Sequence, residues 1–172
     1  MNISATLLHD HSFLHRLEQL LQASGFPADR VTLEVTESAA MADPEAAGAA
    51  LEGWRKLGVG VSIDDYGTGQ SSLSYLQKMP ATELKIDRSF IAAMAAGPRD
   101  RILVRSTIAM AHELGLAVVA EGVEDEICLE LLREMRCDQA QGYGISRPLA
   151  ADAVAEFARN YACPAPPKRA AG

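Results

Sequence analysis

Short apolar segments alternate with longer helix-compatible segments along this chain, and this alternation constrains the fold more than any other feature. Five strands bounded by turn-forming residues are predicted at Val31–Thr36, Gly60–Asp64, Glu83–Asp87, Leu116–Ala120 and Asp138–Tyr143. Helices are predicted at His11–Ser24, Pro44–Leu57, Asp100–Leu114 and Asp125–Arg136, with a shorter one at Ser72–Lys78. Because strand–helix–strand repetition places helical crossovers between strands, it predicts a parallel sheet.

Three of these strands carry apolar residues at one parity and polar residues at the other. Glu34, Asp64 and Lys85 each lie on the polar face of their strand. A sheet covered by helices on both faces would show nearly continuous apolar strands instead. The pattern is typical of a barrel, with helices outside and functional side chains pointing inward near the carboxyl ends of the strands.

The chain is short for a complete barrel of this type. A TIM-like (β/α)8 barrel needs eight strands and typically about 250 residues. These 172 residues supply five full βα units and, at Met1–Ser4, at most the stub of an earlier strand. We therefore predict an α/β fold that is an incomplete (β/α)8 barrel, whose open sheet edges favour dimerisation or aggregation.

Composition excludes several classes of protein. The 16 basic and 23 acidic side chains give a net charge of −7, which argues against binding to nucleic acid polymers. The three cysteines form no CxxC motif, which favours a reducing compartment and a cytoplasmic location. No apolar run approaches the ~20 residues that a membrane helix needs. Residues 1–158 are predicted to form one domain, and 159–172 the end of a helix and a disordered Pro/Ala-rich tail.

Carboxylates gather at or just after the predicted strand ends. They are Glu34, Asp64, Asp65, Asp87, Glu121 and Glu124, accompanied by Asn2, Lys85 and Gln141. Oxygen ligands of this kind suit Mg²⁺ or Mn²⁺, and two such ions can assist an in-line phosphoryl displacement. A cap, a turn or an ion pair accounts for any one of these residues taken alone. Their convergence from several strands favours a site.

Six motifs in order carry a resemblance to the EAL-domain family of bacterial cyclic-di-GMP phosphodiesterases. They are Asn2-Ile3-Ser4-Ala5, Leu33–Ser38, Ile63–Gly69, Leu84–Asp87, Val118–Glu124 and Gln141–Leu149. The resemblance covers residues 1 to about 158, which would be the C-terminal two-thirds of an EAL domain. It implies a (β/α)8-like barrel that hydrolyses cyclic di-GMP to pGpG with Mg²⁺ or Mn²⁺. It also implies a possible homodimer, and sensory or cyclase-like domains upstream in a longer parent protein.

The resemblance implies a role for each matching residue. Asn2, Glu34 and Asp64 look like ligands of a first metal, and Asp64, Asp65 and Glu121 serve a second metal or its water. Lys85 resembles the lysine that contacts the catalytic water, so Lys85, Glu121 and Asp65 are the expected catalytic residues. Asp87, Gln141 and Arg147 are expected near the substrate. Glu37 is expected to brace the loop that contains Gly67, Thr68 and Gly69, which the family uses for metal response and dimerisation.

Several positions depart from the family pattern. Tyr66, Gln70 and Ile145 replace the usual Phe, Tyr and Phe, and Met1 stands where Val is common. The Glu-Ala-Leu signature does not occur in these 172 residues, which suggests an N-terminally truncated reading frame with an incomplete metal site. We therefore expect impaired catalysis. The alternatives are a non-catalytic module that binds cyclic di-GMP or a protein, and a metal-dependent lyase or isomerase barrel.

Overall fold

A computed structural model of the chain describes residues 1–68 and 73–161. Its parallel strands are β1 (Asn2–Ile3), β2 (Thr32–Thr36), β3 (Gly60–Tyr66), β4 (Glu83–Ile86), β5 (Ala117–Glu121) and β6 (Gln139–Gln141). They form one sheet in the order β1-β2-β3-β4-β5-β6. The five predicted strands are confirmed with ends that shift by at most two residues, and the predicted N-terminal stub is β1.

Helices occupy every connection between these strands. They are α1 (Ala5–Leu8), α2 (His11–Ser24), α3 (Glu37–Ala42), α4 (Pro44–Lys56), α5 (Leu73–Leu76), α6 (Arg88–Ala96), α7 (Pro98–Glu113), α8 (Glu126–Glu134) and, after β6, α9 (Ala151–Asn160). A short 3-10 helix covers Ala28–Arg30.

Helices α1, α3 and α6 were not predicted, and of α9 only the end, within 159–172, was predicted. Two of these helices begin directly at a strand end, with no turn-forming residues between the strand and the helix. Thr36 ends β2 and caps α3 by accepting a hydrogen bond from the Ala39 N–H, while Asp87 follows β4 and caps α6 in the same way. The helix cap is therefore the last residue of the strand at the first junction and the residue directly after the strand at the second.

The strand order explains why the helices lie on one face of the sheet. Each strand pairs in parallel with the next one in the chain. Parallel crossovers are right-handed, so strands laid down in one direction place every crossover on the same side. In the described part of the chain β1 and β6 are the sheet edges, and the sheet is not closed. The predicted incomplete TIM-like barrel is confirmed.

The apolar core lies between the sheet and its helices. Leu33, Val61 and Leu84 from successive strands are completely buried there. Trp54 of α4 is 2% exposed and meets the ring of Phe13 edge-on at 5.6 Å. Burial of a large apolar side chain contributes about 1.5–3 kcal/mol, so this layer holds the strands in place. The opposite face of the sheet is left for polar side chains.

None of the described helices has both the length and the apolarity that crossing a membrane requires. Two predictions fall outside the described residues. Gly69 and Gln70 lie in the segment 69–72, and nearly all of the predicted tail lies in 162–172. The proposed division of the chain at residues 158 and 159 stays a prediction.

Candidate functional site

Strand pairing brings the predicted polar residues to one edge of the sheet. Asn2 of β1 lies beside Glu34 of β2, and Glu121 of β5 lies beside Gln141 of β6. Asp64, near the end of β3, is paired with the last residue of β2. The carboxyl ends of parallel strands share one side of a barrel, so the side chains converge there.

Lys85 of β4 is the centre of this convergence. Its Nζ lies 3.0 Å from Glu34 Oε2, 3.0 Å from Asp64 Oδ1 and 2.6 Å from Glu121 Oε1. The residue is only 5% exposed. Burial acts to lower the pKa of the ammonium, but hydrogen bonds to Glu121, Glu34 and Asp64 outweigh it and raise the pKa well above its usual value. Lys85 is therefore a buried, permanently charged cation.

A β-bulge places two consecutive carboxylates at this site. Ile63 of β3 pairs with Leu84 of β4, and Tyr66 pairs with Ile86. Between these two pairs β3 has two residues, Asp64 and Asp65, where β4 has only Lys85. Asp65 has φ of 56°, in the left-handed region, and its N–H donates to Asp64 Oδ1 at 3.0 Å. Such a backbone conformation costs about 1–3 kcal/mol in a non-glycine residue. In a regular strand the two side chains would point to opposite faces.

Three carboxylates form a donor set that fits a divalent cation. Asp64, Asp65 and Glu121 each offer one oxygen, and these oxygens lie within 4.8 Å of one another. Burial raises the pKa of both Asp65 and Glu121, and the neighbouring acidic groups raise it further. Burial is the largest cause of both shifts, and Lys85 only partly offsets the negative charge that the neighbouring carboxylates add. A hard cation such as Mg²⁺ or Mn²⁺ would neutralise this charge, so the residues present fit the predicted metals.

Glu37 links the start of α3 to the loop after β3. Its carboxylate is 1% exposed, and Oε2 accepts a hydrogen bond of 2.8 Å from the Gly67 N–H. In the same loop, the Thr68 hydroxyl donates to the carbonyl oxygen of Asp65 at 2.9 Å. These contacts hold the loop beside Asp65, and the bracing role of Glu37 stays a prediction.

Of the residues predicted to contact substrate, Asp87 directly follows β4, Gln141 ends β6 and Arg147 lies in the segment after β6. Asp87 Oδ1 accepts a hydrogen bond from the Ser89 N–H at 2.9 Å. Arg147 places its guanidinium 4.9 Å from the ring centre of Tyr143. Among the described residues, no hydrogen bond or ion pair joins these three residues to Lys85 or its carboxylates. Their predicted role is untested.

Two side chains near the sheet have no predicted role in the site. Ser62 is fully buried on the polar side of β3, and in the described structure its hydroxyl has no hydrogen-bond partner. Its parity with Asp64 was the available signal. His112 lies within α7, and its Nε2 lies 2.8 Å from Asp138 Oδ2. No local pattern could show that contact, because 26 residues separate the pair.

The fold and the site together define a parallel α/β barrel domain with an acidic centre built around a buried lysine. Residues 1–148 match the family described as the EAL domain. The chain belongs to the EAL domain family. The lyase or isomerase alternative does not fit this membership.

Relatives and solved structures extend the comparison. The chain is 45% identical to the cyclic di-GMP phosphodiesterase NbdA of Pseudomonas aeruginosa over 167 residues, which is 97% of this chain and 21% of NbdA. A structure of the MucR phosphodiesterase in complex with c-di-GMP superposes with a TM-score of 0.84 at 40% identity, covering 89% of this chain and 62% of that one.

The EAL domain of Mycobacterium smegmatis DcpA gives a TM-score of 0.87 at 38% identity, with 94% of this chain and 73% of that one covered. This chain thus spans only about a fifth of the length of these relatives. It covers 21% of NbdA and 22% of MucR from Pseudomonas aeruginosa.

Proposed function

We propose that this EAL domain hydrolyses cyclic di-GMP to pGpG in a metal-dependent reaction. The observation that carries the proposal is the cluster in which Lys85 Nζ meets Glu34, Asp64 and Glu121 within 3.0 Å. NbdA is named as a cyclic di-GMP phosphodiesterase, and the MucR structure is a c-di-GMP complex, so the substrate class follows from relatives.

Each residue of the cluster has a chemical role in this proposal. Asp64, Asp65 and Glu121, with Glu34 and Asn2, would hold two Mg²⁺ or Mn²⁺ ions. Such ions lower the pKa of bound water and stabilise both oxygens of an in-line displacement. Water adds to one phosphorus and its P–O3′ bond breaks, which leaves a 5′-phosphate and a free 3′-hydroxyl. Lys85 orients the attacking water and offsets charge on the phosphate.

Other residues position the substrate and the loop. We expect Asp87, Gln141 and Arg147 to meet the guanines or phosphates of cyclic di-GMP. Glu37 holds the loop at Gly67, and we propose that this loop links the site to a homodimer interface. Sensory or cyclase-like domains are the expected partners in a longer parent protein, in the cytoplasm as the cysteine usage predicts.

Turnover by these 172 residues alone is expected to be slow or absent. No Glu-Ala-Leu tripeptide occurs in them, so the glutamate that serves as a metal ligand in this family has no counterpart here. Losing one ligand weakens a metal site by orders of magnitude. The alternative function, a module that binds cyclic di-GMP without turnover, rests on this same observation.

The test is an assay of purified residues 1–172 with cyclic di-GMP and Mn²⁺ or Mg²⁺, with products separated by chromatography. Glu34→Ala removes a carboxylate of the cluster, and Glu45→Ala removes an exposed carboxylate of α4 as the matched control. Formation of pGpG that disappears only with Glu34→Ala supports the phosphodiesterase.

A binding titration on the same samples separates the remaining outcomes. Saturable binding of cyclic di-GMP without product favours the non-catalytic module. If product and binding are both absent, the proposal fails for this chain, and its activity would need the strand that carries the signature glutamate.

A further inference from the structure

The ammonium group of Lys85 has no donor to spare. It carries three N–H bonds, and three carboxylates lie within 3.0 Å of its Nζ. The side chain is also almost inaccessible to solvent. Lys85 therefore cannot donate to a water molecule unless it first gives up one of these ion pairs. Lys85 cannot make these three ion pairs and the proposed contact with catalytic water at the same time.

The partners of Lys85 overlap with the donor set for a divalent cation. Asp64 and Glu121 belong to both groups. An ion held by their oxygens would come within a few ångströms of the ammonium, and like charges at that separation repel strongly in a partly buried site. The two cations thus compete for the same carboxylates.

Without Lys85, the carboxylates of the cluster would have no ammonium group to compensate their charge. Glu34, Asp64, Asp65 and Glu121 would place four negative charges at one end of the sheet, and the side chains of Glu34, Asp64 and Glu121 are at most 24% exposed. Uncompensated carboxylates in such a place destabilise a fold.

We propose that Lys85 is the resident cation of the metal-free site and that it must release at least one carboxylate when a divalent ion binds. Lys85 is in this sense a positioning residue. It holds Glu34, Asp64 and Glu121 together before metal arrives, and the N–H bond that it releases becomes available for water. The inference rests on the metal site proposed above and adds an exchange between two cations on one set of ligands.

Calorimetric titration of Mn²⁺ into residues 1–172 and into Lys85→Met tests the exchange. Methionine keeps most of the side-chain volume and removes the charge. We expect Lys85→Met to bind Mn²⁺ at least about tenfold more tightly, because the competing cation is gone. Lys78→Met, on the exposed surface beside α5, should leave the affinity unchanged. Equal or weaker binding by Lys85→Met would show that the lysine only supports the structure, and the proposal would be wrong.

Thermal unfolding supplies a second readout. Without metal, Lys85→Met should unfold at a lower temperature than the unmodified chain, and saturating Mn²⁺ should raise its Tm by more than it raises that of the unmodified chain. A smaller or equal rise contradicts the exchange.

If Lys85→Met does not fold, the cation exchange can still be tested on the unmodified chain. In protein labelled with ¹⁵N at lysine Nζ, the buried Lys85 ammonium should give a protected signal that shifts or broadens as Mg²⁺ is added, whereas Lys56 and Lys78 should not respond. An unchanged Lys85 signal at saturation overturns the inference. If the unmodified chain binds no divalent ion at all, the metal site itself is wrong, and that result is distinct from the failure of the exchange alone.

Discussion

Single residues in the loop after β3 show how tightly the backbone is specified beside the acidic cluster. Gly67 has φ of 100°, and a Cβ built on it would lie 2.8 Å from the ring of Phe90. Its N–H is also held by the buried carboxylate of Glu37. Glycine is needed here both for its backbone conformation and for the close approach of an aromatic ring.

Gly67→Ala should lower the free energy of unfolding by about 1–3 kcal/mol, because alanine is strained at this φ and displaces Phe90. The measurement is urea denaturation followed by circular dichroism. Gly48→Ala in α4 is the matched control, since a Cβ there meets nothing within 4 Å. The control should stabilise the chain by about 0.5–1 kcal/mol. Equal effects at the two positions would show that the loop tolerates a side chain.

At the scale of elements, the side chain of Asp138, directly before β6, contacts both α7 and β5. Its Oδ2 accepts a hydrogen bond of 2.7 Å from the Val118 N–H in β5 and lies 2.8 Å from His112 Nε2 in α7. Burial acts to raise the pKa of Asp138, but the hydrogen bonds from His112 and Val118 outweigh it and lower the pKa. The carboxylate form therefore stabilises the junction of α7, β5 and β6.

Asp138→Asn should cost no more than about 1 kcal/mol at pH 7, because the side chain is 42% exposed and partly screened. A lowered native pKa gives stability that is present above the unfolded value and lost as the pH falls through the native one. The difference between the unmodified chain and Asp138→Asn should thus be full at pH 7 and 5, and shrink below about pH 4.

Urea denaturation at pH 7, 5 and 3 checks this prediction. Asp152→Asn, an exposed position in the first turn of α9, serves as the control and should show little pH-dependent difference. A difference at Asp138 that grows toward pH 3 would contradict the assignment.

At the scale of the whole molecule, the sheet has two open edges in the described structure. β1 and β6 each pair with only one neighbour. Near β6, α9 buries none of its residues, and Val154 is 48% exposed. Unpaired backbone groups and exposed apolar side chains favour association between chains.

Residues 1–172 should therefore self-associate as concentration rises from the micromolar to the millimolar range, measured by sedimentation velocity. Gln139→Lys places a charge on the edge strand β6 and should weaken the association, since lysine on an edge opposes strand pairing. Gln22→Lys makes the same change on the exposed surface of α2 and should leave it unchanged. A monomer at every concentration, or equal effects of both variants, would show that the edges do not mediate contact.

Most of the architecture could be predicted from local patterns. The parity of Glu34, Asp64 and Lys85 correctly placed them on the face away from the helices. Predicted helix α2 has the same bounds in the structure, because Asp10 caps its start and Gly25, with φ of 63°, ends it. By contrast, α3 and α6 were missed because each follows a strand without a turn.

Because a strand has a period of two, the local pattern was enough to predict which residue types face the inside of the barrel and that they gather at the carboxyl ends of the strands. Which of these residues touch depends on how the strands pair. A period of two specifies a face but not the register between neighbouring strands. The bulge at Asp64 and Asp65 interrupts the alternation of side chains, so the period does not predict it. The three ion pairs of Lys85 join residues up to 51 positions apart, so they depend on that register and not on any local pattern.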